Sequence, residues 1–216
     1  MTLCEPSLTE ELIILLISDS CPAASVADSL LKKDYPIRLT KRVQTMRGLS
    51  PCVHEAGNMV NSSHFLIIGS DLEMNPYTVP SLVAESKKHP EAIVCASKFE
   101  KSSKREGYGF FHMLCVKAVN AAMRLILGIK GKELTATFQI YPKSIFDKMA
   151  FDEPAYTFYE YTIKPVYLGT EYIEIPTDYK RRSEGKSTFN LIRYFKLAYK
   201  FIYAACSLRI RLKRAK

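Results

Sequence analysis

The chain has no CxxC pair and no clustering of cysteine with histidine; Cys4, Cys21, Cys52, Cys95, Cys115 and Cys206 lie scattered along its 216 residues. That spacing argues against both a zinc site and a disulfide framework, and it suits a reducing compartment. Internal repeats and low-complexity stretches are missing too, which excludes a solenoid and a compositionally biased tract. Residues 12–17 are apolar, but Glu5, Glu10 and Glu11 precede them and no basic side chain does, so they read as core and not as a secretory leader. Long uncharged runs are scarce. Lys117, Asn120 and Arg124 interrupt the apolar stretch 110–127, and the longest uncharged run of the C-terminal segment is residues 201–208, far short of a bilayer. No nucleic-acid reading motif occurs.

What is present is enough for one domain. A chain of this length buries about 70% of its unfolded surface. Its net charge of +9 is uneven: residues 180–216 hold twelve basic side chains and one acidic one, Glu184, while the rest is slightly acidic. The basic character therefore belongs to the tail and points to an anionic surface or a phosphate partner at that end. There Arg193, Lys196 and Lys200 recur at helical spacing beside an apolar side built on Phe195, Tyr199, Ile202 and Cys206. That pattern predicts an amphipathic helix lying on an anionic leaflet, with packing against the domain as the alternative.

Along the chain, strand and helix patterns alternate. Residues 7–10 have the form of a capping box that starts a short helix, and residues 12–17 read equally well as a strand. Helices are expected after Cys21-Pro22 with Lys32 and Lys33 in the last turn, over 50–60 and over 82–88, and strands over 37–43, 65–68 and 92–97. This rhythm implies a mostly parallel sheet with right-handed crossovers. A long apolar helix over 110–127 ends at Gly128 and forms a core helix or one wall of an apolar groove. Residues 135–141 alternate as a half-buried strand, 158–167 fit helix or strand, and 172–179 form a strand leading into the basic loop 180–186. The strand over 65–68 ends in Gly69-Ser70-Asp71-Leu72-Glu73. In an extended segment residues i and i+2 share a side, so Asp71 and Glu73 would both address one cation.

Five blocks, in this order, resemble the inverting nucleotide-sugar glycosyltransferases of GT-A (Rossmann-like) fold, especially the dolichyl- or polyprenyl-phosphate mannose and glucose synthases. SDSCPAAS (18–25) looks like the family's VDDxSxDGT, RGLSPCVHEAG (47–57) its GLSxAVxxG, and GSDLEMNP (69–76) its DADLQxPP. ELTATFQIY (133–141) is similar to DxTSGFRLY, and EIPTDYKRRSEGKS (174–187) to EVPxxFxxRxxGxSK. The resemblance covers roughly residues 17–190. Several positions depart from it. Gly69 replaces the first metal-motif aspartate, Ser18 the first carboxylate of the nucleotide loop, Glu133 an aspartate and Thr188 a lysine, and the PxxNE block has at most the relic 6–11, so the N-terminal region looks shortened.

The resemblance implies an α/β domain over 1–187 followed by a basic membrane-associating helix over 188–216. It also implies transfer of a hexose, mannose or glucose, from GDP- or UDP-hexose to a polyprenyl or dolichyl phosphate, on the cytoplasmic face of a membrane. Release of a diphosphate calls for neutralisation of developing negative charge, and oxygen ligands suit Mg²⁺ or Mn²⁺. Asp71 and Glu73 are the candidate metal ligands, with Glu73 restoring the charge lost at Gly69. The donor nucleotide would meet Asp19, Arg47, Gly48 and Asp71, although Arg47 also fits an ordinary solvated arginine. A lipid phosphate is already an anionic nucleophile, so cations must position it: Arg182, Lys186 and Ser187 as a clamp, with Lys98 beside them. Asp71 and Arg182 are the expected catalytic residues. The competing reading is a degenerate homologue that keeps the fold and the tail and serves as a membrane-associated binding partner.

Overall fold

The computed structural model describes residues 9–16, 18, 20–46, 48–149, 159–182 and 191–214, with side chains in the last stretch described from 195 to 212. The first strand, β1 (Glu11–Leu16), pairs in parallel with β2 (Arg38–Val43) around helix α1 (Ala23–Leu31). No helix starts at Thr9-Glu10, which lead directly into β1. Ser7 and Leu8, the front of the expected capping box, lie outside the described residues. Helix α2 (Leu49–Met59) opens at Gly48, whose φ of 127° is a conformation that side chains with a Cβ avoid.

The central sheet has four strands in the order β3 (His64–Ile67), β6 (Gln139–Pro142), β4 (Ile93–Ser97), β7 (Tyr172–Pro176). Three of the four share one direction, as the alternating pattern implied; β6 alone runs antiparallel to β3 and to β4, while β4 and β7 are parallel. The register is fixed by pairs such as Leu66 with Ile140, Cys95 with Gln139 and Cys95 with Glu174. This arrangement sends the carboxyl ends of β3, β4 and β7, and the chain entering β6, to one edge of the sheet. A short parallel pair, β5 (Arg105–Glu106) with β8 (Tyr179–Lys180), extends that edge. The expected strand over 135–141 starts only at Gln139, and that over 172–179 divides into β7 and β8.

Each face of the sheet is covered. Helix α3 (Val79–Lys88) packs Val79 and Leu82 against Val94, Ala96, Phe138 and Ile140. On the other face Phe65, Ile93 and Tyr141 meet Val53 of α2, Phe146 of α5 (Lys143–Lys148) and Tyr161 of α6 (Glu160–Tyr167), so the segment left open between helix and strand is helical from Glu160 onward. A third cluster joins α4 (Phe110–Leu127) to α7 (Leu191–Arg214) through Val119, Met123 and Leu127 against Phe201, Ala205 and Leu208.

Helix α4 has the expected bounds, and Gly128 closes it in the left-handed region, its N–H reaching the Arg124 carbonyl at 2.7 Å. By length and composition, however, α4 is long and apolar enough to cross a membrane, contrary to the sequence reading, and only 17% of it is buried. Lys117 and Arg124 are too few to spoil its apolar character.

One close approach yields a stability prediction. A Cβ on Gly57 would lie 2.5 Å from the Phe146 ring, and that ring is held edge-on by Phe65 at 5.7 Å and stacked on Tyr161 at 6.0 Å. Because the ring has nowhere to move, Gly57→Ala should destabilise the domain by about 1–3 kcal/mol despite its gain in helix propensity. Urea unfolding of the variant checks this; unchanged stability would show that α2 shifts freely on α5.

Candidate active site

The acidic loop after β3 is a turn and not the extended segment the sequence suggested. Residues 70–71 form the turn, and Leu72 stands at φ 56°, exposed. The i, i+2 geometry therefore does not apply, because a turn followed by a left-handed residue redirects the chain. Asp71 and Glu73 stay together by another route: Asp71 Oδ1 accepts the Glu73 N–H at 3.3 Å. A non-glycine residue in that region is strained, and such strain is common where a loop must present side chains.

This loop is stitched to the segment that leads into the basic loop. Lys180 N–H donates to the Glu73 carbonyl at 2.9 Å, Asn75 N–H donates to the Asp178 carbonyl at 3.1 Å, and Met74 bridges Tyr179. Beneath them, the Thr78 and Thr177 hydroxyls share a buried hydrogen bond of 2.8 Å. Burial pushes the buried Tyr179 phenol up to about 12, helped by the Glu73 carboxylate, which accepts its hydrogen bond, and by Asp71. Both carboxylates therefore act on one phenol. Arg182 follows two residues after β8.

The segment after β4 joins the same edge. Arg181 N–H donates to the Glu106 carbonyl at 3.0 Å, Tyr179 N–H to the Lys104 carbonyl at 2.9 Å, and Arg105 Nη1 to the Lys98 carbonyl at 2.7 Å. Lys98 itself is ion-paired with Glu133, whose fully buried carboxylate also accepts from the Ser97 hydroxyl at 3.1 Å and the Lys98 N–H at 2.9 Å. Next to it lies a cavity of about 140 Å³ lined by Lys98, Tyr108, His112, Val119, Leu197 and Phe201. Tyr108 stacks on His112 at 4.5 Å and meets Tyr179 edge-on at 4.8 Å, so the cavity adjoins the phenol that faces the carboxylates. Burial, then Lys98, lowers the His112 pKa.

The structure thus gathers Asp71, Glu73, Lys98 and the stem of Arg182 at one edge. Gly48 stands after the carboxyl end of β2, and Asp19, Arg47, Lys186 and Ser187 lie outside the described residues. Sequence reading missed Tyr108, His112 and Tyr179, and it treated Glu133 only as a departure from a motif. The four-residue spacing of Tyr108 and His112 around the start of α4 was the available signal. Two carboxylates offer hard oxygen donors to a divalent ion, but among the described residues no group of three His, Cys, Asp or Glu side chains forms a metal cluster. The remaining ligands would have to be phosphate oxygens and water, an arrangement that suits Mg²⁺ bound with a diphosphate.

The sequence profile of the family described as Glycosyl transferase family 2 matches residues 8–153. A dolichol-phosphate mannosyltransferase of Pyrococcus furiosus is 24% identical over 178 residues, 81% of this chain and 49% of that protein. The chain therefore spans about half the length of this curated relative. Glucosyl-3-phosphoglycerate synthase of Mycobacterium tuberculosis, solved with uridine diphosphate, superposes with a TM-score of 0.56 at 13% identity, covering 95% of this chain and 82% of that one. The same synthase with Mn²⁺, UDP-glucose and phosphoglyceric acid gives 0.56 at 13% identity, covering 95% and 81%. At this identity the likeness is one of fold, the GT-A arrangement of sheet and helices.

Proposed function

The chain belongs to glycosyl transferase family 2, and on that footing we propose that it moves a hexose, mannose or glucose, from a GDP- or UDP-sugar to a polyprenyl or dolichyl phosphate at the cytoplasmic face of a membrane. The observation that carries the reading is the hydrogen-bonded seam between the acidic loop and β8, Lys180 N–H to the Glu73 carbonyl, which holds the carboxylates beside the strand that delivers Arg182. Asp71 and Glu73 are the residues to hold Mg²⁺ or Mn²⁺; when bound, the ion neutralises charge on the departing diphosphate. Lys98, fixed by Glu133, and Arg182 position the acceptor phosphate, with Lys186 and Ser187 completing the clamp. Because that phosphate is an anion at neutral pH, its oxygen attacks the anomeric carbon as the sugar–diphosphate bond breaks, and no strong general base is required. Asp19, Arg47 and Gly48 are assigned to the nucleotide.

Two relatives support a phosphate-bearing acceptor: one is named for dolichol phosphate, the other was solved with phosphoglyceric acid. The apolar lining of the cavity beside Lys98, with Val119, Leu197 and Phe201, favours the lipid. Membrane placement is supported by α7, which keeps Phe195 (65%), Tyr199 (67%) and Ile210 (53%) exposed while Phe201, Ala204, Ala205 and Leu208 face the domain. One side of the helix thus packs on the domain, and the other is left exposed. Its cations are shared as well: Arg211 pairs with Glu160 at 3.3 Å and Arg209 donates to the Ile126 carbonyl, so these two also anchor the helix.

Gly69 favours the second reading, a catalytically inactive binding partner. One assay separates the two. Losing a charge-assisted clamp on phosphate costs about 1.5–3 kcal/mol. In a transfer assay with nucleotide-sugars and a short polyprenyl phosphate, Arg182→Ala should therefore lower turnover roughly 10- to 150-fold while nucleotide affinity holds. A wild-type chain that binds the lipid phosphate but transfers no sugar from any common donor would establish the binding-partner reading.

A further inference from the structure

Helix α4 presents apolar surface in two directions. Val119, Met123 and Leu127 face α7, whereas Phe111, Leu114 and Leu125 are exposed at 58%, 54% and 82%. On that outer side lies a groove of about 500 Å³, lined by the apolar Phe99, Leu114, Ala118 and Ala121 and by three cations, Lys117, Arg124 and Lys132. The cavity beside Lys98 uses the other side of the helix, through His112, Val116 and Val119. Each cation of the groove is held in place. The Lys117 ammonium sits 5.7 Å over the Phe99 ring, Arg124 donates to the Gly131 carbonyl at 3.0 Å, and Lys132 pairs with Glu100 at 2.6 Å. Glu100 offsets Lys132, Glu174 accepts the Lys132 main-chain N–H at 2.6 Å, and no carboxylate lines the groove among the described residues, so with Lys117 and Arg124 its wall keeps a net positive charge.

An anion attached to an apolar chain matches this surface in charge and in polarity, and the exposed face of α4 continues it. We infer that the groove seats an anionic phospholipid, with the headgroup phosphate among Lys117, Arg124 and Lys132 and the acyl chain over Leu114, Ala118 and Ala121. This rests on the membrane-surface part of the reading above and not on the transfer reaction. It makes α4, alongside the outer stripe of α7, a lipid-binding element with its own headgroup site.

The chain contains no tryptophan, so Leu114→Trp gives a single reporter in it. With phosphatidylcholine vesicles containing phosphatidylglycerol, its emission should shift to the blue and be quenched by chain-brominated lipid, and vesicles of phosphatidylcholine alone should give neither effect. Each cation near an anionic leaflet contributes about fivefold to partitioning, so Lys117→Gln with Lys132→Gln should lower binding roughly 25-fold. Transfer in detergent should be unchanged by that pair, which separates this site from the acceptor site. If the protein co-sediments while the reporter stays unshifted, the lipid contact belongs to α7 alone and the inference fails. If inorganic phosphate shifts the reporter as far as the vesicles do, the groove is a free-phosphate site and the lipid occupant is overturned. A chain that binds neither kind of vesicle overturns the membrane reading and this inference together, whereas a failed transfer assay with the reporter quenched overturns only the catalytic reading.

Discussion

Asp71→Ala should abolish the metal-dependent part of nucleotide binding. Asp71 is one of only two carboxylates in the loop, and among the described residues nothing nearby completes a metal cluster in its place. Disturbing even an outer hydrogen bond to a metal ligand costs 10- to 100-fold, so removal of one of the two proposed ligands should weaken GDP or UDP binding by more than about 100-fold in the presence of Mn²⁺. Calorimetry with and without chelator reads this directly. Equal binding of the wild type in excess chelator would refute the metal assignment. The converse substitution is the sharper test. Gly69 does not have a positive φ, and a Cβ there would lie 3.2 Å from Asp71 Oδ1, so an aspartate fits with a small adjustment and adds a third carboxylate to the loop. Gly69→Asp should tighten metal-dependent nucleotide binding. Without metal it should lower stability, because like charges then repel one another.

Lys98→Met should be the most destabilising single change at this edge of the sheet. Glu133 is fully buried, and the Lys98 ammonium is its only described ion-pair partner. Removing that ammonium leaves a buried carboxylate with the Ser97 hydroxyl and one main-chain N–H as donors. Breaking a buried pair from one side costs about 3–5 kcal/mol, whereas replacing both partners by apolar groups is often nearly neutral. Lys98→Met with Glu133→Leu should therefore recover most of the loss. Urea unfolding of the two single variants and the double gives the coupling energy. Strict additivity would show that the pair is not coupled and that Lys98 is not fixed for a phosphate. Since the pair sits beside the cavity, the stable double variant should still fail to bind lipid phosphate there.

The parts of this fold that were legible in the sequence are those where a local pattern carries the physics. Alternating strand and helix patterns marked β2, α2, β3, α3 and β4, and Gly128 marked the end of α4, because hydrophobic periodicity and caps act within a few residues. The acidic loop and the basic loop were also visible, since unlike composition needs no partner to be seen. The direction of β6 was not. Its four residues read as strand whichever way they run, and only pairing with Phe65 and Cys95 from both sides sets it antiparallel. The two-sided use of α7 was hidden for a similar reason: Phe195 and Phe201 are alike as residues, and only docking on α4 decides which one is buried. The sequence by itself determined that this chain builds an α/β domain with paired carboxylates at a strand end and a basic, apolar tail. Only the tertiary structure decided which groups meet. It hydrogen-bonded the carboxylate loop to β8, locked Lys98 on Glu133 and set Tyr179 against both carboxylates, because contacts between residues far apart in sequence depend on strand order and register, which no local pattern encodes.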